Sequence, residues 1–213
     1  MPSWSRPARP CDRQNRTHDK NRKMDTTDKT RLKDRIARRV TEFYIAYPPA
    51  LEQITHTQTV AAYTRLIAVG EGWGGDRLEL VETAAWLHDI GCPAARRLYG
   101  NSLPVHQQEE GRRLTEEWLR DEAGLTAVEK EWLAAVVGSH HRFDAAHELH
   151  FEPLFEADLI VNMAEGYYQL SQAAHFYDKM LTTATGRSLF HALFLSPSAN
   201  VGRQPEGTGP ENG

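Results

Sequence analysis

Between about residue 27 and residue 195 the apolar positions recur at helical spacing almost everywhere, and no alternating Val/Ile/Thr-rich run reaches strand length. The pattern predicts an all-α chain. Helices are expected at about 28–46, closed by Pro48-Pro49, and at 50–70, closed by Gly70 and the glycines at 72, 74 and 75. A third runs from Asp76, read as an N-cap, to about Asp89. Residues 91–104, rich in Gly, Pro and Asn, are read as a loop before a helix at 105–122. Thr126 and Glu129 have capping-box spacing and open a helix in the segment up to His141, ending near Gly138-Ser139. Helices at about 151–166, 167–181 and 186–195 complete the set. With no internal repeat and no composition break, 27–195 is expected to form a single compact helical bundle. Residues 1–26 read as a disordered basic tail, with Met24 as an alternative start, and 196–213, with three prolines and four glycines, as a disordered C-terminal tail.

What interrupts the apolar stripes is more informative than the stripes themselves. Val60, Tyr63 and Ile67 continue backwards at helical spacing to His56, and Leu78, Val81 and Ala85 continue to His88, followed at once by Asp89. Leu133, Val136 and Val137 lead to His140, and Phe151, Leu154 and Phe155 lead to Asp158. A lone histidine on such a face is more often a hydrogen-bonded core residue than a ligand, and an aspartate there usually caps a helix or meets an arginine. In a bundle, however, the four stripes converge on one interior, and an ionised carboxylate there is costly unless it is paired or coordinates a metal. A mixed nitrogen and oxygen set suits an open site for Mn, Fe, Ni, Co, Zn or Mg better than a closed structural zinc site, which prefers cysteine.

Charge and composition narrow the partners. Hydrophobic residues make up 40% and charged residues 25%, with a net charge of -4. Residues 1–23 hold seven Lys/Arg against Asp12 and Asp19, so the rest of the chain is acidic. An acidic body argues against a broad nucleic-acid groove. No run of apolar residues is long enough for a membrane span, and no apolar h-region opens the chain. Cys11 and Cys92 cannot build a disulfide framework. The expectation is a cytoplasmic protein with a small-molecule partner, no membrane and no nucleic acid. No particular oligomeric state is implied.

The segment His88-Asp89-Ile90-Gly91, preceded by Ala84-Ala85-Trp86-Leu87, resembles the HDIG signature of the HD-domain metal-dependent phosphohydrolases, whose pattern is H…HD…D. His56 matches the first histidine, His88 and Asp89 the doublet, and Asp158 the last aspartate, over about residues 40–195. The resemblance implies one or two divalent ions, and hydrolysis of a phosphomonoester or phosphodiester of a nucleotide or small metabolite by metal-activated water. In the two-metal subset extra histidines lie between the doublet and the last aspartate, where His106 and the pair His140-His141 stand. His140 is the favoured ligand of the pair, and His141 a second ligand or a substrate contact. Their roughly 100° offset on a helix requires the helix to end or bend there if both are to face one ion. Asp89 would bridge two ions, and Arg142, with Arg96 and Arg97 as further candidates, would supply a phosphate-binding cation. Cys92 replaces the lysine that often follows HDIG. Arg142-Phe143-Asp144-Ala145 stands where the cyclic-dinucleotide branch carries Gly-Tyr-Pro, so that activity is not implied. Two other outcomes remain open within the resemblance: a dinuclear-iron oxygenase and a nucleotide-binding sensor without turnover.

Overall fold

The computed structural model describes residues 20–196, with side chains from Leu32 onward. The predicted tails lie outside the described residues up to residue 19 and from residue 197. Ten helices follow in order: α1 Lys20–Ile45, α2 Ala50–Gly70, α3 Gly75–Leu87, α4 Gly91–Tyr99 and α5 Pro104–Leu119, then α6 Ala127–Val137, α7 Phe143–Glu148, α8 Glu152–Ala164, α9 Ala173–Lys179 and α10 Ala184–Phe190. A 3-10 turn at Leu170–Gln172 precedes α9, and a π-helical turn at His191–Leu195 extends α10. Among the described residues there is no strand.

In α1 the residues Leu32, Ile36, Val40 and Tyr44 recur every fourth position and are all buried, giving the apolar stripe that packs on α3. The helix α8 differs: Pro153 through Val161 are buried all round, as expected of a helix at the centre of a bundle. Its neighbours α2 and α3 pack on it and on each other. Burying a Leu, Ile or Phe side chain is worth roughly 1.5–3 kcal/mol, so Leu154, Phe151 and Ile160 anchor α8 firmly. The N-terminal end of α10 is tied to it as well. Glu156, fully buried, accepts hydrogen bonds from the Thr182 and Thr183 amides at 2.6 and 2.8 Å and from both hydroxyls.

Several sequence expectations are corrected. Residues 91–99 form α4 rather than a loop, because the residues read as breakers are end signals. Pro93 lies in the first turn, where its missing N–H costs no helical bond. Gly100 adopts φ 71°, the left-handed conformation of a C-terminal cap, and donates its amide to the Arg96 carbonyl. Gly91 serves close approach: a Cβ there would lie 2.0 Å from the Gln107 carbonyl oxygen and 2.5 Å from the Gly111 amide, so α4 and α5 meet backbone to backbone. The capping box of Thr126 and Glu129 is present, and α6 ends at Val137 with Gly138 as its cap, where the sequence places the end. The short helix α7 and the shortened α9 also depart from the sequence reading. At the start of α3, Gly74 takes the cap position and Asp76 falls in the first turn, where a carboxylate complements the helix dipole.

Candidate metal centre

Four polypeptide stretches bring polar side chains to one buried point. His56 projects from the second turn of α2 and Asp158 from the middle of α8. His88 and Asp89 occupy the tight turn between α3 and α4, closed by the Ile90 amide bonding the Leu87 carbonyl. His140 and His141 lie in the turn after α6, and because the helix has ended both rings face the same region, with centroids 4.0 Å apart.

The arrangement divides into two sets, His56 with His88 and Asp158, and Asp89 with His140 and His141. Both carboxylates span them. Asp158 directs Oδ1 to His56 Nε2 at 3.3 Å and to His88 Nε2 at 3.7 Å, while its Oδ2 lies 3.5 Å from His141 Nδ1. Asp89 directs Oδ2 to His56 Nε2 at 3.5 Å and to His88 Nε2 at 3.6 Å, while its Oδ1 lies 3.5 Å from His140 Nε2.

The surroundings fix which nitrogens point inward. His88 Nδ1 lies 2.7 Å from the Ala85 carbonyl and His140 Nδ1 2.8 Å from the Val137 carbonyl; a carbonyl only accepts, so both Nδ1 atoms carry hydrogen. In the neutral rings Nε2 is then a bare lone pair aimed at the centre. His56 Nδ1 meets the Glu165 carboxylate at 2.9 Å in the same sense. Carboxylate or carbonyl acceptors behind the ring are the usual outer support of a metal-bound histidine. His140 Nε2 is buried and makes no hydrogen bond, and it faces Asp89 Oδ1 at 3.5 Å across the centre. Converging lone pairs and carboxylate oxygens with too few donors between them fit a divalent cation.

Electrostatics of the metal-free side chains agree with this. Burial alone would lower the His56 imidazole, but the hydrogen bond to Asp158 and the charges of Asp89 and Asp158 raise it to about 9. At Asp89 burial is outweighed by His88, His140 and His56, which hold the carboxyl well below its ordinary range. Burial lowers His88. Burial, then the neighbouring His140, lowers His141 to about 4. The centre thus holds protons where a metal would hold its positive charge.

Outer contacts name residues that the sequence reading missed. Asn162 donates to Asp158 Oδ1 at 2.9 Å, and Gln53 donates to Asp89 Oδ2 at 3.3 Å while its own oxygen accepts from Arg96 at 2.8 Å. Gln107 accepts from the buried Cys92 thiol at 2.7 Å and donates to His141 Nε2. Each lies on a helix at a spacing of three or four residues from another inward-facing residue, a detectable signal. Two expected residues are not brought in. His106 stacks on Tyr99 at 4.1 Å between centroids and bonds Asn101 Oδ1 at 2.8 Å. Arg142 is exposed and committed to Asp144, two residues on. Among the described residues, Arg96 is a cation connected to the centre, through Gln53.

None of the described helices is long and apolar enough to cross a membrane. No curated protein and no solved structure matches the chain. A profile of the HD domain matches residues 54–178, from the turn that carries His56 to the end of α9, and so includes His88, Asp89, His140, His141 and Asp158. With that match over more than half of its length, and with the paired histidine and aspartate sets in place, the chain belongs to the HD-domain superfamily of metal-dependent phosphohydrolases.

Proposed function

We propose that the protein hydrolyses a phosphate ester at a centre of two divalent ions, one that His56, His88 and Asp158 would hold and another that Asp89 and His140 would hold, with Asp89 between the two histidine sets. The observation that carries this reading is the division of the Asp89 oxygens, Oδ2 towards His56 and His88 and Oδ1 towards His140. When bound, such ions polarise a phosphate oxygen and lower the pKa of coordinated water.

The protein's own groups have separable tasks. Glu165, Ala85 and Val137 keep hydrogen on the three Nδ1 atoms, so that Nε2 of His56, His88 and His140 faces the ions. Arg96 orients the Gln53 amide, which then donates to Asp89 and fixes one of its oxygens. His141 serves the substrate. Its Nε2 accepts from Gln107, so the neutral ring carries hydrogen on Nδ1, on the side of the centre. Lowered to about 4, His141 stays neutral at pH 7 and donates this hydrogen to a phosphate oxygen without bringing a second proton.

A panel of phosphomonoesters and phosphodiesters, assayed with added Mn, Co, Ni or Mg, tests the reading. Metal-dependent phosphate release is expected, abolished in Asp89→Ala and strongly reduced in His141→Ala with metal still bound. Failure to turn over any ester with any metal, or O₂ consumption by the iron-loaded protein without hydrolysis, overturns it.

A further inference from the structure

Beside the centre a cavity of about 50 Å³ opens between α8 and α9. One wall belongs to the centre and is polar, formed by His141, Asp158 and Asn162. Phe155 and Leu159 of α8, with Phe176 of α9 and Met180 just beyond its end, make the other wall. Tyr168 completes the rim, its ring packed edge-on against Phe176 with centroids 5.0 Å apart. Among the described residues no lysine or arginine lines the cavity.

Such a recess discriminates by size and charge. A cavity needs on the order of 10–15 Å³ to hold one water molecule, so this one accommodates roughly four non-hydrogen atoms. A carboxylate or second phosphate placed there would lose its hydration against an apolar wall, with Asp158 beside it and no cation among the described lining residues to meet it. The Asn162 amide on this wall is already engaged in donating to Asp158. A nucleoside is much too large.

Resting on the phosphohydrolase reading, we propose that this cavity is the leaving-group subsite and that it selects small phosphomonoesters whose alcohol part is compact, uncharged and mainly apolar. The phosphate lies at the ions within reach of His141, and the alcohol carbon chain runs between α8 and α9. Substrates with a second anionic group in that position are rejected.

Non-hydrolysable phosphonates test the subsite without turnover. Calorimetry on the metal-loaded protein compares methylphosphonate, propylphosphonate and 2-carboxyethylphosphonate. About fourfold per buried methylene, and so roughly 15-fold from methyl to propyl, is expected, with the carboxylate-tipped probe no tighter than methyl. Met180, half-buried at the rim, is the residue to change. Met180→Lys should weaken propylphosphonate at least tenfold and favour the carboxylate-tipped probe. Met180→Trp, which fills the recess without adding charge, should weaken propylphosphonate and spare methylphosphonate. No phosphonate binding, equal binding of all three, or a ranking unchanged in both variants overturns the subsite. The hydrolase reading fails separately: if propyl phosphate is not hydrolysed while the phosphonates bind in the expected order, the subsite stands and only the chemistry is wrong.

Discussion

Metal uptake at this centre should expel protons, and the pH dependence of affinity measures how many. His56 is the clearest case. Its Nε2 faces two carboxylate oxygens, and although burial opposes the charged ring, Asp158 and Asp89 raise it to about 9. At pH 7 the metal therefore competes with a proton held about two units above ambient, a penalty of about 2.7 kcal/mol, or roughly 100-fold in apparent affinity. His140, for which burial is likewise outweighed by Asp89, shifts in the same direction. His88 and His141, both lowered, bring no proton to be displaced. The logarithm of apparent affinity for Ni or Mn should thus rise with pH at a slope of at least one from pH 7, flattening above about pH 9. Chelator competition across this range, with calorimetry at pH 7 in two buffers of different ionisation enthalpy, gives the slope and the proton count independently. Replacing the Glu165 carboxylate in Glu165→Gln removes one of the interactions that raise His56 and should move the flattening to lower pH. Affinity that is flat above pH 6.5, the ordinary histidine value, would refute the reasoning, since the centre would then hold no excess proton.

The same shifts govern the stability of the metal-free protein. His56 contributes stability that is fully present below pH 6.5 and lost as pH rises through about 9, whereas His141, lowered to about 4, removes stability as pH falls from 6.5 towards 4. Melting temperature in chelator should peak near pH 6.5; a steady rise from 6.5 to 9 would contradict the assignment. His106→Ala and Arg142→Ala should leave metal stoichiometry unchanged and turnover within about twofold, because neither side chain reaches the centre, whereas Arg96→Ala, which frees Gln53, should lower kcat by roughly tenfold with metal retained, on the scale of about 1.4 kcal/mol. Gly91→Ala should destabilise the fold by about 3 kcal/mol or more in urea unfolding, since the clash is with backbone that cannot swing aside.

Much of the centre was legible from helical phase alone. His56 and Asp158 lie on apolar stripes of α2 and α8, and in a bundle such stripes have one place to go. The errors share that physics. Successive helical residues point about 100° apart, and in α5 the buried set is Gln107, Glu110, Gly111, Leu114 and Thr115. That phase puts Gln107, not His106, towards the interior, although His106 carries the more metal-binding side chain. Arg142 was misread because a partner two residues along, Asp144, captures it where the chain leaves the turn. The helix α4 was hidden because its proline and glycine are compatible with either a loop or two well-formed helix ends, and only packing against α5 decides between them. Glu165 could not be read as a support for His56, because the pairing spans two helices far apart in the chain.

The central claim is that Asp89 joins two histidine sets into one metal centre. Calorimetric titration of the metal-free protein with Mn or Ni, run side by side on wild type and Asp89→Ala, tests it most directly. Two ions per chain are expected for wild type and fewer than one for the variant, whose melting temperature in chelator confirms that it is folded. A wild-type protein that binds no metal, or a folded Asp89→Ala that still binds two ions, would contradict the account.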